Sequence, residues 1–289
     1  MTTEPNIVNT KSEGNPKLEI RNPKPAAQAN CRRMFCQSTG GRASRVSDFG
    51  FRISGFLRTS AFGFRTSASL ALLAPLGVLL AGCQTAPPNS LATHSSTKWE
   101  KEIAAFVASD RTNPPPQGGI VFVGSSSIRL WTNLVADFPS LPVVNRGFGG
   151  SQLADSVKFA EQIIIPYAPR QIVIYAGGND LNAGKSPAVV YGDFVALATV
   201  IRARLPDTRI AYISSAPNPK RWEQVANVKQ LNSLVEAYCH KHGLIFINVF
   251  PRMLGANGQP RPELYVADRL HMTPSGYALW KEMVGPCLK

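Results

Sequence analysis

From Ile120 onward, short apolar runs alternate with longer amphipathic segments, and this alternation restricts the possible folds more than any other feature. The runs are Ile120–Val123, Pro142–Asn145, Gln171–Tyr175, Arg209–Ser214 and Leu244–Val249. Stretches such as "IVFV", "IVIY" and "LIFINVF" lack polar alternation, so they suit strands covered on both faces. Helical spacing fills the gaps over Ser127–Phe138, Leu153–Tyr167, Pro187–Leu205 and Arg221–His242. A first helix is expected over Trp99–Asp110, spaced by Trp99, Ile103, Phe106 and Val107, and a last over Pro274–Val284. Strand and helix in alternation predict an α/β sandwich built on a parallel sheet.

In such sheets the chemistry lies beyond the carboxyl ends of the strands. Those ends are polar and glycine-rich here. Gly124-Ser125-Ser126-Ser127 follows the first run, and Asn145 to Ser151 ("NRGFGGS") follows the second. Ala176-Gly177-Gly178-Asn179-Asp180 follows the third, and a long loop carries Asp268-Arg269-Leu270-His271 after the fifth. Glycine and serine are ordinary turn chemistry, so the three serines alone read as a turn with a helix cap. Together the four groups hold a hydroxyl nucleophile, an imidazole base, a carboxylate three residues before it, and amide donors for an oxyanion. The elbow G-x-S-x-G of the α/β-hydrolases is absent, because Ile128 stands where its second glycine belongs.

Residues 1–60 show no sustained apolar period and read as an extension outside the fold. Arg58 and Arg65 then precede an apolar run from Ala68 to Leu80, which ends Ala81-Gly82-Cys83. A basic flank, a short apolar core and small residues make a secretory signal pattern. The run is shorter than the roughly 20 residues of a comfortable span. Leu80-Ala81-Gly82-Cys83 resembles a bacterial lipobox, which implies cleavage before Cys83, a lipid on its thiol, and an envelope location. In a Gram-negative cell, Gln84 after the cysteine favours the outer membrane under that resemblance, facing periplasm or exterior. About 65 residues precede the run, and Met34 offers a later start. Residues 83–97, Pro- and Ser-rich, read as a lipidated tether in which His94 is solvated, and residues 98–289 as the folded domain.

The charge is uneven. Residues 1–82 hold 11 Lys+Arg against 4 Asp+Glu, leaving 20 against 14 for the rest. The remaining basic residues do not cluster with aromatics, so no nucleic-acid partner is expected.

The four strand-end blocks resemble the SGNH (GDSL) hydrolase superfamily over roughly Gly119–Leu288. "VFVGSSSI" is similar to the first block, with Ser125 in place of the usual Asp; "NRGFGGSQ" to the second, "GGND" to the third and "DRLH" to the last. The resemblance implies a three-layer, flavodoxin-like sandwich with a five-stranded parallel sheet. It implies Ser126 as nucleophile, His271 as base and Asp268 as its orienting carboxylate. The oxyanion donors would be the Ser126 and Gly150 N–H groups and the Asn179 side chain, with Gly149 the neighbour that competes with Gly150.

The expected activity is a serine esterase acting on short-chain or acetyl esters through an acyl-enzyme. Alternatives are a lysophospholipase or acyltransferase using the same site, or a non-catalytic glycan-binding lipoprotein. Neither cofactor nor metal is expected, since no metal-ligand spacing appears. For Arg221, Trp222 and Tyr265 two readings stand: the pocket mouth, with Trp222 stacking on an acyl or sugar group, or plain surface packing. Asp180 reads as a turn cap, and His240 and His242 as helix-end residues. In an oxidising compartment Cys239 and Cys287 would remain as a candidate disulfide.

Overall fold

The computed structural model describes residues 86–289; the signal-like run and Cys83 lie outside the described residues. The strands are β1 (Ile120–Gly124), β2 (Val143–Gly147), β3 (Gln171–Tyr175), β4 (Arg209–Ile213) and β5 (Ile245–Ile247). The helices are α1 (Glu100–Thr112), α2 (Ser126–Arg129), α3 (Leu134–Asp137), α4 (Leu153–Ile163), α5 (Gly178–Asn182), α6 (Pro187–Arg204), α7 (Val225–His242) and α8 (Pro274–Val284). The sheet order is β2-β1-β3-β4-β5, with every neighbouring pair parallel. This is the expected α/β fold on a five-stranded parallel sheet.

Successive strand residues point to opposite faces, and the core divides accordingly. Val123, Ile172, Ile174, Ile210 and Tyr212 pack under one layer, with residues of α1, α4, α6 and α7. Phe122, Val173, Ala211 and Ile213 pack on the other, with Trp131, Leu134 and the apolar residues of α8. All five residues of β1 are buried, which is why this strand reads as an uninterrupted apolar run.

Three expectations are corrected. The helix expected over Ser127–Phe138 is two short helices. At Trp131 the backbone tightens, Trp131 N–H bonding to the Ile128 carbonyl at 3.0 Å. The indole thereby turns inward against Phe122, Phe138 and Trp280, and its N–H donates to Asp137 Oδ2 at 2.7 Å. Burial of the largest side chain outweighs helix continuity.

The segment read as a tether is docked on the domain over its described part. Ser90 N–H and Oγ–H both donate to the buried Asp193 carboxylate, each at 2.7 Å. The Pro88 carbonyl crosses Gly192 so closely that a Cβ there would lie 1.9 Å from it. His94, expected in solvent, bonds through Nε2 to Asp155 Oδ1 at 2.7 Å, while Trp99 Nε1–H donates to Asp155 Oδ2 at 3.1 Å. Polar composition misled here because two wholly buried carboxylates on α4 and α6 need donors, and this segment supplies them.

No disulfide joins Cys239 to Cys287. Cys239 on α7 packs within the core of one sheet face, and Cys287 packs against the core of the other. The sheet stands between them. Burial, with a smaller contribution from Glu236, pushes the Cys239 thiol up to about 12. The Cys287 thiol donates weakly to the Met283 carbonyl at 3.8 Å.

Candidate active site

The first strand-end block is shaped by a close backbone approach. Gly124 has φ +146°, and a Cβ there would lie 1.9 Å from the Tyr175 carbonyl oxygen. Only glycine fits this crossing of β1 and β3. Ser125 N–H then donates to the same carbonyl at 3.1 Å, and Ser126 opens α2. As the first helical residue, Ser126 has an N–H without an intrahelical partner.

The second block is anchored to the first. Phe148 N–H and Ser151 Oγ–H both donate to the Gly124 carbonyl, at 2.9 and 3.1 Å. Arg146 and Gly147, placed beyond the second run from sequence, complete β2. Arg146 is turned away from this edge and pairs with Asp110 at 2.5 Å. Gly150 is exposed with φ +79°, a backbone conformation that favours glycine, beside the Trp99 ring.

The third block ties to the second. Asn179 Nδ2–H donates to the Ser151 carbonyl at 3.0 Å. Asp180, wholly buried, accepts from Leu153 N–H at 3.1 Å and from Lys185 Nζ at 3.3 Å. Burial raises its carboxyl to about 6 even with Lys185 pulling it down. Asp180 thus takes up the first N–H of α4 rather than capping its own turn.

The fourth block completes the arrangement. His271 Nε2 lies 2.9 Å from Ser126 Oγ, and Nδ1 lies 2.5 Å from Asp268 Oδ2. The other carboxylate oxygen, Oδ1, accepts from the backbone N–H groups of Leu270 and His271, both at 2.9 Å. What burial Asp268 has would raise its carboxyl; these two N–H groups and the imidazole outweigh it and hold it at about 2. Arg269 adopts φ +61°, the left-handed residue that closes this turn. The turn is clamped by Val266 N–H to the His271 carbonyl at 2.9 Å and Lys220 N–H to the Arg269 carbonyl at 3.1 Å.

The structure therefore brings Ser126, Asn179, Asp268 and His271 to one edge, with Gly150 one residue from the Asn179 partner Ser151. Of the three residues with two readings, Arg221 lines the cleft beside Ser126, and its Nη1–H donates to Asn179 Oδ1 at 3.0 Å. Trp222 lies instead in an adjacent groove with Pro219, Pro260 and Pro262. Tyr265 forms the wall between cleft and groove, its hydroxyl donating to the Pro217 carbonyl. Residues not singled out from sequence also line the cleft: Tyr175, Ser215, Val228 and Met272. Tyr175 ends β3 and Ser215 lies just beyond β4, so the strand-end rule reaches both. Val228 and Met272 carry no such signal. Among the described residues no group of three or more His, Cys, Asp or Glu is placed to hold a metal ion.

A hydrogen-bonded chain from Ser126 through His271 to Asp268 thus lies beyond the carboxyl ends of a parallel sheet. Residues 118–279 match the model of the GDSL-like lipase/acylhydrolase family, and the chain belongs to that family of carboxylic ester hydrolases. Among solved structures it is similar to a GDSL-like lipase from Bacteroides thetaiotaomicron, with 21% identity, a TM-score of 0.54, and 67% of this chain and 96% of that one covered. It is also similar to an acylhydrolase-type protein from Bacteroides fragilis, with 20% identity, a TM-score of 0.56, and 66% and 94% covered. A Streptococcus pneumonia protein named for platelet activating factor shares 20% identity at a TM-score of 0.57, with 67% and 94% covered. At these identities the likeness is one of fold. No curated protein matches the chain in sequence.

Proposed function

We propose that the chain is a serine esterase that cleaves short-chain, acetyl-type esters through an acyl-enzyme. The observation that carries this is the continuous path from Ser126 Oγ through His271 to Asp268, at 2.9 and 2.5 Å. Ser126 Oγ attacks the ester carbonyl carbon, and its proton passes to His271 Nε2. The carbonyl oxygen becomes an oxyanion, which the Ser126 and Gly150 N–H groups and the Asn179 amide stabilise. The ester C–O bond then breaks, and His271 returns the proton to the leaving alcohol. Water repeats the sequence on the acyl-Ser126 ester, releasing the acid and restoring the serine hydroxyl. Asp268 remains ionised throughout and holds the imidazole with Nδ1 protonated. Ser125 does not obstruct this sequence: it is buried, and its N–H is committed to β3.

The short-chain preference rests on the cleft. It offers about 40 Å³, walled by Tyr175, Val228 and Met272. A space of that size takes a small acyl group such as acetyl, and a longer chain would have to run out of the cleft. A panel of p-nitrophenyl esters tests both statements. Acetate is expected to turn over, with kcat/KM falling at least about tenfold by octanoate as methylenes are left outside the cleft. No turnover of any ester favours the glycan-binding alternative, and a preference for long chains favours the lysophospholipase.

The envelope location is proposed on sequence alone. The lipobox-like Leu80-Ala81-Gly82-Cys83 supports a lipid on Cys83, and multiple acyl chains, each buried CH₂ contributing about 0.8 kcal/mol, give stable anchoring. Cys83→Ser is expected to move the protein to the soluble fraction with a loss of the lipid mass. Unchanged membrane retention and mass would contradict it.

A further inference from the structure

We infer that Arg221 is a positioning residue for the oxyanion site: its guanidinium fixes the Asn179 amide with one N–H left for the oxyanion. This rests on the reading of Asn179 as an oxyanion donor. An Asn side chain has two faces of nearly equal shape, oxygen and NH₂, and a donor site works in only one orientation. Here both ends are specified. Asn179 Oδ1 accepts from Arg221 Nη1 at 3.0 Å, and Nδ2 donates one hydrogen to the Ser151 carbonyl at 3.0 Å. The second Nδ2 hydrogen is left for the cleft, which Asn179 lines beside Ser126. Rotating the amide by half a turn would set NH₂ against the guanidinium and an oxygen against the Ser151 carbonyl. Both contacts would be repulsive, and the cleft would receive an acceptor.

Arg221 is itself held for this purpose. It lies at a kink in the short helical stretch Pro219–Gln224, where its φ of −125° departs from helical values. Its N–H donates to Asn218 Oδ1 at 3.0 Å. The preceding N–H, of Lys220, bonds to the Arg269 carbonyl inside the turn that carries Asp268 and His271. Nη1 also donates to the Gly178 carbonyl at 3.1 Å, so one guanidinium nitrogen grips both the side chain and the preceding backbone of the third block. A charged donor on the amide oxygen further polarises the amide and strengthens its N–H as a donor.

The positioning role predicts that Arg221 and Asn179 act as one unit, which a double-mutant cycle reads. With p-nitrophenyl acetate and the full chain, Asn179→Ala should lower kcat by about 10²–10³. Arg221→Met should lower kcat by at least about tenfold with KM within about twofold, as expected when a donor used only in the transition state is misplaced. In the Asn179→Ala background, Arg221→Met should cost no more than about twofold. Arg221→Lys should recover part of the loss, since it keeps the charge without the fork. It also carries the cycle if Arg221→Met does not fold, as judged by its thermal midpoint. Equal losses from the Arg221 variants in both backgrounds would overturn the inference, as would a raised KM at constant kcat, which would mark direct substrate binding. An Asn179→Ala enzyme with undiminished kcat would instead overturn the oxyanion reading beneath it, and the inference with it.

Discussion

Ser126→Ala is expected to lower kcat by about 10³–10⁶ while leaving the fold intact. The loss is large because the relay acts as a unit: without the hydroxyl, His271 has no proton to accept and no acyl-enzyme forms. What remains is whatever the oxyanion donors and binding supply to attack by water. The fold should survive, because Ser126 is only half-buried and its hydroxyl bonds to a histidine at the cleft rather than in the core. Ser125→Ala and Ser127→Ala should each lose no more than about tenfold. Ser125 contributes its backbone N–H to the Tyr175 carbonyl, and Ser127 its backbone carbonyl to the Tyr277 hydroxyl at 2.9 Å. Alanine keeps both groups. Steady-state kinetics on p-nitrophenyl acetate, with circular dichroism as the folding control, checks all three. Comparable losses at a flanking serine would place the nucleophile elsewhere.

Asp268→Asn is expected to lower kcat by about 10²–10⁴, although it changes neither size nor shape. Asp268 Oδ1 accepts from two backbone N–H groups, and an asparagine oxygen can take over that position. The amide NH₂ then faces His271 Nδ1, where the carboxylate oxygen lies at 2.5 Å. A donor there forces Nδ1 to be the acceptor, so Nε2 carries the proton and points it at Ser126. That tautomer cannot accept the serine proton. The carboxyl is held at about 2, so in the native enzyme Asp268 stays charged across any working pH. Steady-state kinetics of both enzymes on p-nitrophenyl acetate checks the size of the loss. An Asp268→Asn variant within about twofold of native would show that the carboxylate does not set the tautomer.

Much of this architecture was legible from periodicity alone. The runs at Gln171–Tyr175 and Pro274–Val284 match β3 and α8 to the residue. The β3 run is wholly apolar except at its ends, and α8 has Thr273 as a side-chain cap and Pro274 in its first turn. The site blocks were legible for a related reason. Parallel strands deliver their carboxyl ends to one edge, so polar residues just past apolar runs meet there whatever lies between them.

What stayed illegible depends on side chains that meet across long sequence distances. Nothing local shows that Trp131 breaks a helix to reach Trp280, or that Asp155 and Asp193 draw in the residues around Ser90 and His94. The paired-cysteine expectation failed because counting thiols does not say on which face of the sheet each one packs. Arg221 was open between the pocket mouth and plain surface packing, and its bond to Asn179 spans 42 positions and appears only in the folded chain.

Covalent labelling of the native protein with a fluorophosphonate probe, followed by peptide mapping, tests the central claim most directly. The probe reacts with a serine only where a base activates it and donors stabilise the resulting oxyanion, so it reads nucleophile and surroundings together. The account predicts a single adduct on Ser126, abolished in Ser126→Ala and retained in Ser125→Ala and Ser127→Ala. Labelling that persists in Ser126→Ala, or that maps to a different residue, would contradict it.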